Sequence, residues 1–481
     1  MPFPELFQLP YDRVSPKDKD SFAYTTLVKR WPVVLTNVVS AVANANHELS
    51  MKPTSTSEAK LTEGKKIISQ ISQMKYDMGH NAALTPISTD GDINQGCYND
   101  ELNTYPDEDR RWSTMNWLFA ECYVYRRLRS YFASTVHWKE YDPFFEQKAE
   151  TYKSSSTAIV HLAKAINQAV EEKEDFDKDY EKPGSALEIA FLEMVQADLW
   201  GNATDLSLLI DLKFEDLQKL QAVGSAAQAE QAKFILRNDL SKTWDHLKTV
   251  KNARVDFILD NAIGFTAGFE LFTDLILADF LVSCTPFVDQ VIFHPKAIPW
   301  FVSDVLPYDF SWAIESLLDT SFFASHASTP LSSEDLDGLK TLATRWKTHL
   351  STGKFKLSVP EDTKLGKATA LGRFWTTQYA FQDLPQIAPG TLAELRKSDL
   401  VIFKGDLNYR KLVGDAWWPT TTPFETALGP LAGKITLLSL RTNKADTIVG
   451  LEEGVEERLN KEAPDWRVSG KYAVVSFSKK R

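Results

Sequence analysis

Residues 253–261 read ARVDFILDN, a short apolar run that stops on a carboxylate and an amide. Three later runs have the same form. IPWFVS (Ile298 to Ser303) stops at Asp304, DLVIF (Asp399 to Phe403) stops at Lys404-Gly405-Asp406, and KITLLSL (Lys434 to Leu440) stops at Arg441-Thr442-Asn443-Lys444. Amphipathic helical stretches lie between them, and this alternation marks an α/β layer architecture with a largely parallel sheet. In open parallel sheets the ligand crevice lies beyond the carboxyl ends of the strands, so the four ends are expected to converge on one site.

Upstream of Gly184 the texture is different. TLVKRWPVVLTNVVSAV and WLFAECYVYRRLRSYF repeat apolar residues at three and four, the helical period, and strand signals are almost absent. Pro86 to Pro106 is polar and reads as a long loop between helices. The charged run EEKEDFDKDYEKPG, Glu171 to Gly184, ends in a Pro-Gly breaker and is the best candidate linker. The expected organisation is a helical amino-terminal domain over 1–184 and a three-layer α/β/α domain over 185–481. Within the second, Gly268 to Val288 reads as a buried helix, and 325–367 as a helix followed by a short strand.

Composition narrows the function. With 54 Lys and Arg against 65 Asp and Glu in 481 residues, the net charge of −11 repels a phosphate backbone, and no basic run offsets it, so no nucleic-acid partner is expected. Charges at Glu270, Asp274 and Asp279 interrupt the most apolar stretch, which argues against a membrane span. Three scattered cysteines and no secretory signal point to the cytoplasm, with the nucleus open. The Asn202-Ala203-Thr204 sequon is then a chance match. No HExxH, G-x-S-x-G or post-strand G-x-G-x-x-G occurs, and GPLAGKI has the wrong spacing for a phosphate-binding P-loop.

The strand ends carry chemistry of another kind. Asp260, Asn261 and Asp304 are hard oxygen donors that suit Mg²⁺ or Mn²⁺, although a lone aspartate at a strand end is more often a helix cap or turn residue. Lys404, Gly405 and Arg410 in KGDLNYRK could cradle an anion at a helix start. Lys444 adds a cation able to stabilise charge during phosphoryl transfer.

LWGNATDLSLL (Leu199 to Leu209), Asp260-Asn261, GFELFTDLILADFL (Gly268 to Leu281), PWFVSDV (Pro299 to Val305), FKGDLNYRKLVGD (Phe403 to Asp415) and RTNK (Arg441 to Lys444) occur in this order along the chain. Together they resemble the metal-dependent damage-control phosphatases once grouped as domain of unknown function 89, and RTNK is similar to the R-T-x-K subgroup, which hydrolyses sugar phosphates. The resemblance implies a Mn²⁺- or Ni²⁺-supported phosphatase, with Mg²⁺ or Co²⁺ as alternatives, acting on fructose 1-phosphate and fructose 6-phosphate. It implies metal ligation by Asp260, Asn261 and Asp304, and substrate contacts from Asp260, Asn261, Asp406, Leu407, Asn408, Tyr409, Arg410 and Lys444. Catalysis would fall to Asp260, Asp304 and Lys404, with either water or Asp260 as the attacking group.

Two alternatives stand beside this reading. A family resemblance also implies an S-adenosylmethionine-dependent protein-glutamate O-methyltransferase, which would use Glu270 and Asp304. The other is a non-catalytic sugar-phosphate binding protein, favoured if the site is spoiled. Family members run D-N-A/S-G-F-E-L-F without a break, whereas here Ile263 to Ala267 intervene after Ala262. The expected result is an added loop that leaves Asp260 and Asn261 on their strand end and shifts the start of the helix carrying Glu270.

Overall fold

The computed structural model describes residues 4–176, 180–201, 233–261, 270–319, 321–323 and 331–481. The five residues 263–267 and most of the 199–209 segment lie outside them, as does the sequon at 202–204.

Seven strands form one sheet in the order β1-β7-β6-β5-β2-β3-β4. They are β1 (Ile235–Asn238), β2 (Ala253–Ile258), β3 (Val288–His294), β4 (Phe355–Leu357), β5 (Leu400–Lys404), β6 (Leu437–Thr442) and β7 (Ala473–Ser478). All pairings are parallel except β6 with β7. The chain runs from β2 outward to β3 and β4 on one side, then returns to place β5 on the other side of β2. The crevice between β2 and β5 is therefore a topological switch point, where open α/β sheets bind ligands.

Alternation along the strands separates two apolar layers. Val255 and Phe257 of β2, Leu400 and Ile402 of β5, and Leu438 and Leu440 of β6 share one core with four helices. These are α4 (Ser156–Glu171), α5 (Ala186–Trp200), α6 (Glu270–Cys284) and α7 (Ser333–Thr352). Val401, Phe403 and Leu437 face the opposite layer, where they meet Tyr409, Leu412 and Val413 of α8 (Gly405–Val413). A third cluster belongs to the amino-terminal helices, α1 (Trp31–Met51), α2 (Ser57–Gly79) and α3 (Trp117–Ala133). Apolar packing crosses the charged run at 171–184, because Ile159, Leu162 and Ile166 of α4 sit in the sheet core. Among the described residues no helix is long and apolar enough to cross a membrane.

Two expectations are corrected. IPWFVS is not a strand: residues 298–300 are irregular and 301–303 form a turn, and the strand in this part of the chain is VDQVIFH, ten residues earlier. Ile298, Trp300 and Val302 are apolar because they pack into the amino-terminal helical core and not into the sheet. Pro86 to Pro106 is not wholly a loop, since it contains the helix Gln95–Leu102, anchored by buried Tyr98 and Leu102.

Candidate functional site

Where a strand ladder stops, its last carbonyls need donors from elsewhere. At the end of β2 two buried side chains supply them. Asn408 Nδ2 donates to the carbonyls of Ile258 (3.1 Å), Leu259 (3.3 Å) and Lys404 (2.7 Å), and Lys296 Nζ donates to Leu259 O at 2.7 Å. Asp260 is thus set at a fixed point beyond the strand. Its carboxylate lies against Gly405, at the first turn of α8, where a Cβ would overlap the carboxylate oxygen and lie 2.9 Å from Asp260 Cβ. Gly405 also has φ +81°, so glycine is required twice over at this position.

Asp304 reaches the same point without being on a strand. Phe301 and Val302 both have left-handed backbone conformations, at φ 43° and 72°. Such strain costs roughly 1–3 kcal/mol per residue and persists only where packing over-determines it; here Trp300 and Val302 are anchored in the helical core. The resulting turn folds Asp304 back onto Asn261 in an isolated antiparallel bridge, and Val305 N donates to Asp260 O at 2.8 Å. Ser303 Oγ donates to Asn261 Oδ1 at 2.5 Å.

Asp304 is 1% exposed and, among the described residues, neither of its oxygens has a hydrogen-bond partner of good geometry; Lys296 Nζ stands 3.4 Å from Oδ2. Burial pushes its carboxyl well above the usual range, and the neighbouring Lys296 charge only partly opposes this. Burial likewise raises Asp260 to about 6, against the pull of Lys296 and Lys444. Glu270 rises to about 7, from burial first and the Asp260 charge second.

Asp260 and Asp304 open onto a cavity of about 560 Å³ between the amino-terminal helices and the sheet end. Of the residues singled out from sequence, it brings together Asp260, Asn261, Asp304, Asp406, Leu407, Arg410 and Lys444. Arg441 of the RTNK element is buried beneath and fixes this arrangement. It donates to Asp406 Oδ1 (2.8 Å) and to the carbonyls of Thr447 (2.7 Å) and Ala445 (2.9 Å), while Lys444 N also donates to Asp406 Oδ1 at 3.0 Å. Lys444 itself is held below the usual lysine range by burial.

Lys404, Asn408, Tyr409 and Glu270 do not line the cavity. Lys404 is the main correction: it shares a face of β5 with Leu400 and Ile402 and so points under the helices of that layer. There it lies 2.6 Å from Asp198 Oδ1 on α5 and 3.1 Å from Asp274 Oδ1 on α6. It neutralises buried carboxylates behind the site and does not face a substrate anion. Asn408 ties the strand end as described, and Tyr409 is buried with its hydroxyl 3.0 Å from Val449 N. Arg410 does reach the cavity wall, but its donors are engaged by Asp415 (3.1 and 2.9 Å) and Glu121 (2.7 Å), and it stacks 3.7 Å over Trp117.

The other wall comes from the helical half, which sequence reasoning left without a role. Phe22, Arg30, Trp31, Trp117, Glu121 and Tyr125 line it. Glu121 could have been noticed, since a carboxylate between Ala120 and Cys122 inside an all-apolar helix stretch calls for a partner. It accepts from Trp31 Nε1 at 3.2 Å as well as from Arg410. Tyr125 stacks on Phe301 with ring centroids 4.8 Å apart, joining the helical wall to the Asp304 turn.

Residues 26–459 match the family described as the damage-control phosphatase ARMT1-like domain. Full-length relatives agree with that match. The protein named Damage-control phosphatase ARMT1 in Danio rerio is 34% identical, aligned over 98% of this chain and 97% of its own. The protein of the same name in Xenopus tropicalis is also 34% identical, over 97% and 98%, and that in Homo sapiens is 33% identical, over 96% and 98%.

Proposed function

The chain belongs to the damage-control phosphatase ARMT1-like family, and from this premise we propose that it is a metal-dependent phosphomonoester hydrolase acting on sugar phosphates, with fructose 1-phosphate and fructose 6-phosphate as substrates. The observation that carries this reading is the meeting of Asp260, Asn261 and Asp304 with Asp406 and Lys444 around one cavity.

The residues present fit a small hard cation. Asp304 is a buried carboxylate whose oxygens, among the described residues, have no hydrogen-bond partner of good geometry; Lys296 Nζ, 3.4 Å from Oδ2, is the charge beside it, and a bound cation would complete the oxygens it leaves unsatisfied. Among the described residues no three His, Cys, Asp or Glu side chains form a ready-made cage. The donor set is instead two carboxylates and an amide, which leaves positions for water and substrate oxygens, as Mn²⁺ and Mg²⁺ sites do. Asp260, Asn261 and Asp304 would hold the ion, Mn²⁺ or Ni²⁺ by preference, and it would supply Lewis-acid polarisation of the phosphoryl group.

The chain's own groups do the rest. Lys444 offsets charge on the phosphoryl oxygens from the sheet side. Asp406, held in place by Arg441 and the Lys444 backbone, offers an acceptor to a sugar hydroxyl. Trp117, Tyr125 and Phe301 give the sugar an apolar face and help keep bulk water away from the reacting atoms. The test is phosphate release from a panel of sugar phosphates with Mn²⁺, Ni²⁺, Mg²⁺ and Co²⁺. Release from fructose 1-phosphate that stops on chelation is expected, and no release with any of the four ions would sink the proposal.

A further inference from the structure

The helical wall of the cavity carries cations that the reading above does not use. Lys29 and Arg30 line it, and neither has a carboxylate partner among the described residues. This contrasts with Arg410, whose donors are already engaged. Arg30 sits with its guanidinium 4.9 Å over the Phe22 ring, a contact that orients the group without neutralising it.

The backbone around Arg30 is unusual. Thr26–Arg30 is one wide turn of π-helix, closed by Trp31 N donating to Thr26 O, and such turns appear frequently at functional sites. The extra residue lets Lys29, Arg30 and Trp31 all border the cavity in succession. Trp31 then locks the register, because its ring is 1% exposed and its Nε1 donates to Glu121 at 3.2 Å. Two cations, Arg30 from the helical half and Lys444 from the sheet half, thus face one space. An anion held between them would meet a positive charge on each side.

We propose that Arg30 is a substrate-binding residue that grips the phosphoryl group from the helical side, opposite Lys444. The inference rests on the phosphatase reading for the identity of the ligand but on the cavity geometry for its place. A guanidinium presents a planar fork to phosphoryl oxygens, which a lysine cannot reproduce.

The test is calorimetric titration of the full-length protein with inorganic phosphate, with and without Mn²⁺, alongside kcat/KM for fructose 1-phosphate. Arg30→Gln should weaken phosphate affinity by roughly 10- to 100-fold, with Arg30→Lys between it and the parent. Lys66→Gln, an equal loss of charge on exposed α2, should change neither quantity. Arg30 is itself exposed, so its variants should fold, and an unchanged melting temperature checks this. Phosphate affinity of Arg30→Gln within about twofold of the parent, or a parent that binds no phosphate, overturns the inference. If phosphate binding depends on Arg30 while no sugar phosphate is hydrolysed, the inference stands and the phosphatase reading falls.

Discussion

Replacing Gly405 by alanine separates the geometry of the site from the stability of the fold. Two penalties meet at this position. The backbone is at φ +81°, where an L-residue costs roughly 1–2 kcal/mol more than glycine. The added Cβ would also overlap the Asp260 carboxylate and lie 2.9 Å from Asp260 Cβ, so the carboxylate must move by on the order of 1 Å. A displacement of that size at a reacting centre is worth about 10²-fold in rate. Gly353, the cap of α7 at φ +77°, isolates the first penalty: its added Cβ would meet only the flexible Lys356 side chain, at 3.0 Å. Phosphate release from fructose 1-phosphate at saturating Mn²⁺ and thermal melts would be measured for both variants. Both should melt lower than the parent, while kcat/KM should fall about 100-fold in Gly405→Ala and stay unchanged in Gly353→Ala. A Gly405→Ala protein that melts like Gly353→Ala but keeps parental kcat/KM would show that Asp260 need not sit where the structure puts it.

Asp260→Ala and Asp304→Ala should each abolish phosphate release; full activity of Asp304→Ala in the presence of chelator would remove the metal arrangement. Lys404→Met should act on stability, because it strands the Asp198 and Asp274 carboxylates, a loss of about 3–5 kcal/mol for breaking a buried ion pair. A raised KM with an unshifted melting curve would return Lys404 to the substrate. Glu193 on α5 is raised by burial from 4.5 to about 7, so the folded state holds its proton in a range where the unfolded state has lost it. Stability therefore falls as pH rises through that window, and Glu193→Gln should melt higher than the parent by an amount that grows between about pH 5 and about pH 8, up to about 3 kcal/mol. A difference independent of pH would mean that the shift is not the cause.

How much of this was legible in the sequence depends on whether a feature is set locally. Short apolar runs mark β2, β5 and β6, and the rule that ligands bind beyond strand ends leads to Asp260 and Asp406, which the structure brings to one cavity. IPWFVS has the look of a strand because an apolar run reports burial and not the partner that buries it; Ile298, Trp300 and Val302 fill the helical core. VDQVIFH carries a weaker signal, because Asp289 and Gln290 break its apolar run and only Val291 to Phe293 are continuous and apolar. The parity of β5 was readable: Leu400, Ile402 and Lys404 share a face, so a lysine in line with two core residues had to find its countercharge under the helices. Arg30 and Glu121 carried no motif. They meet the strand ends only through the packing of one half on the other, which no local pattern encodes.

The order β1-β7-β6 has a consequence for how the polypeptide is made. β7, residues 473–478, is the last of these seven strands to be synthesised, yet it lies between β1 and β6 and pairs with both. As the chain leaves the ribosome, amino-terminal segments can fold first. Through that period the sheet lacks one of its inner strands, and the flanks of β1 and β6 that β7 will cover are open to pairing with other chains. A premature stop after Ser469 and before Ala473 would make that transient exposure permanent while sparing every residue that lines the cavity, so such a truncation acts through aggregation and turnover before it acts through chemistry.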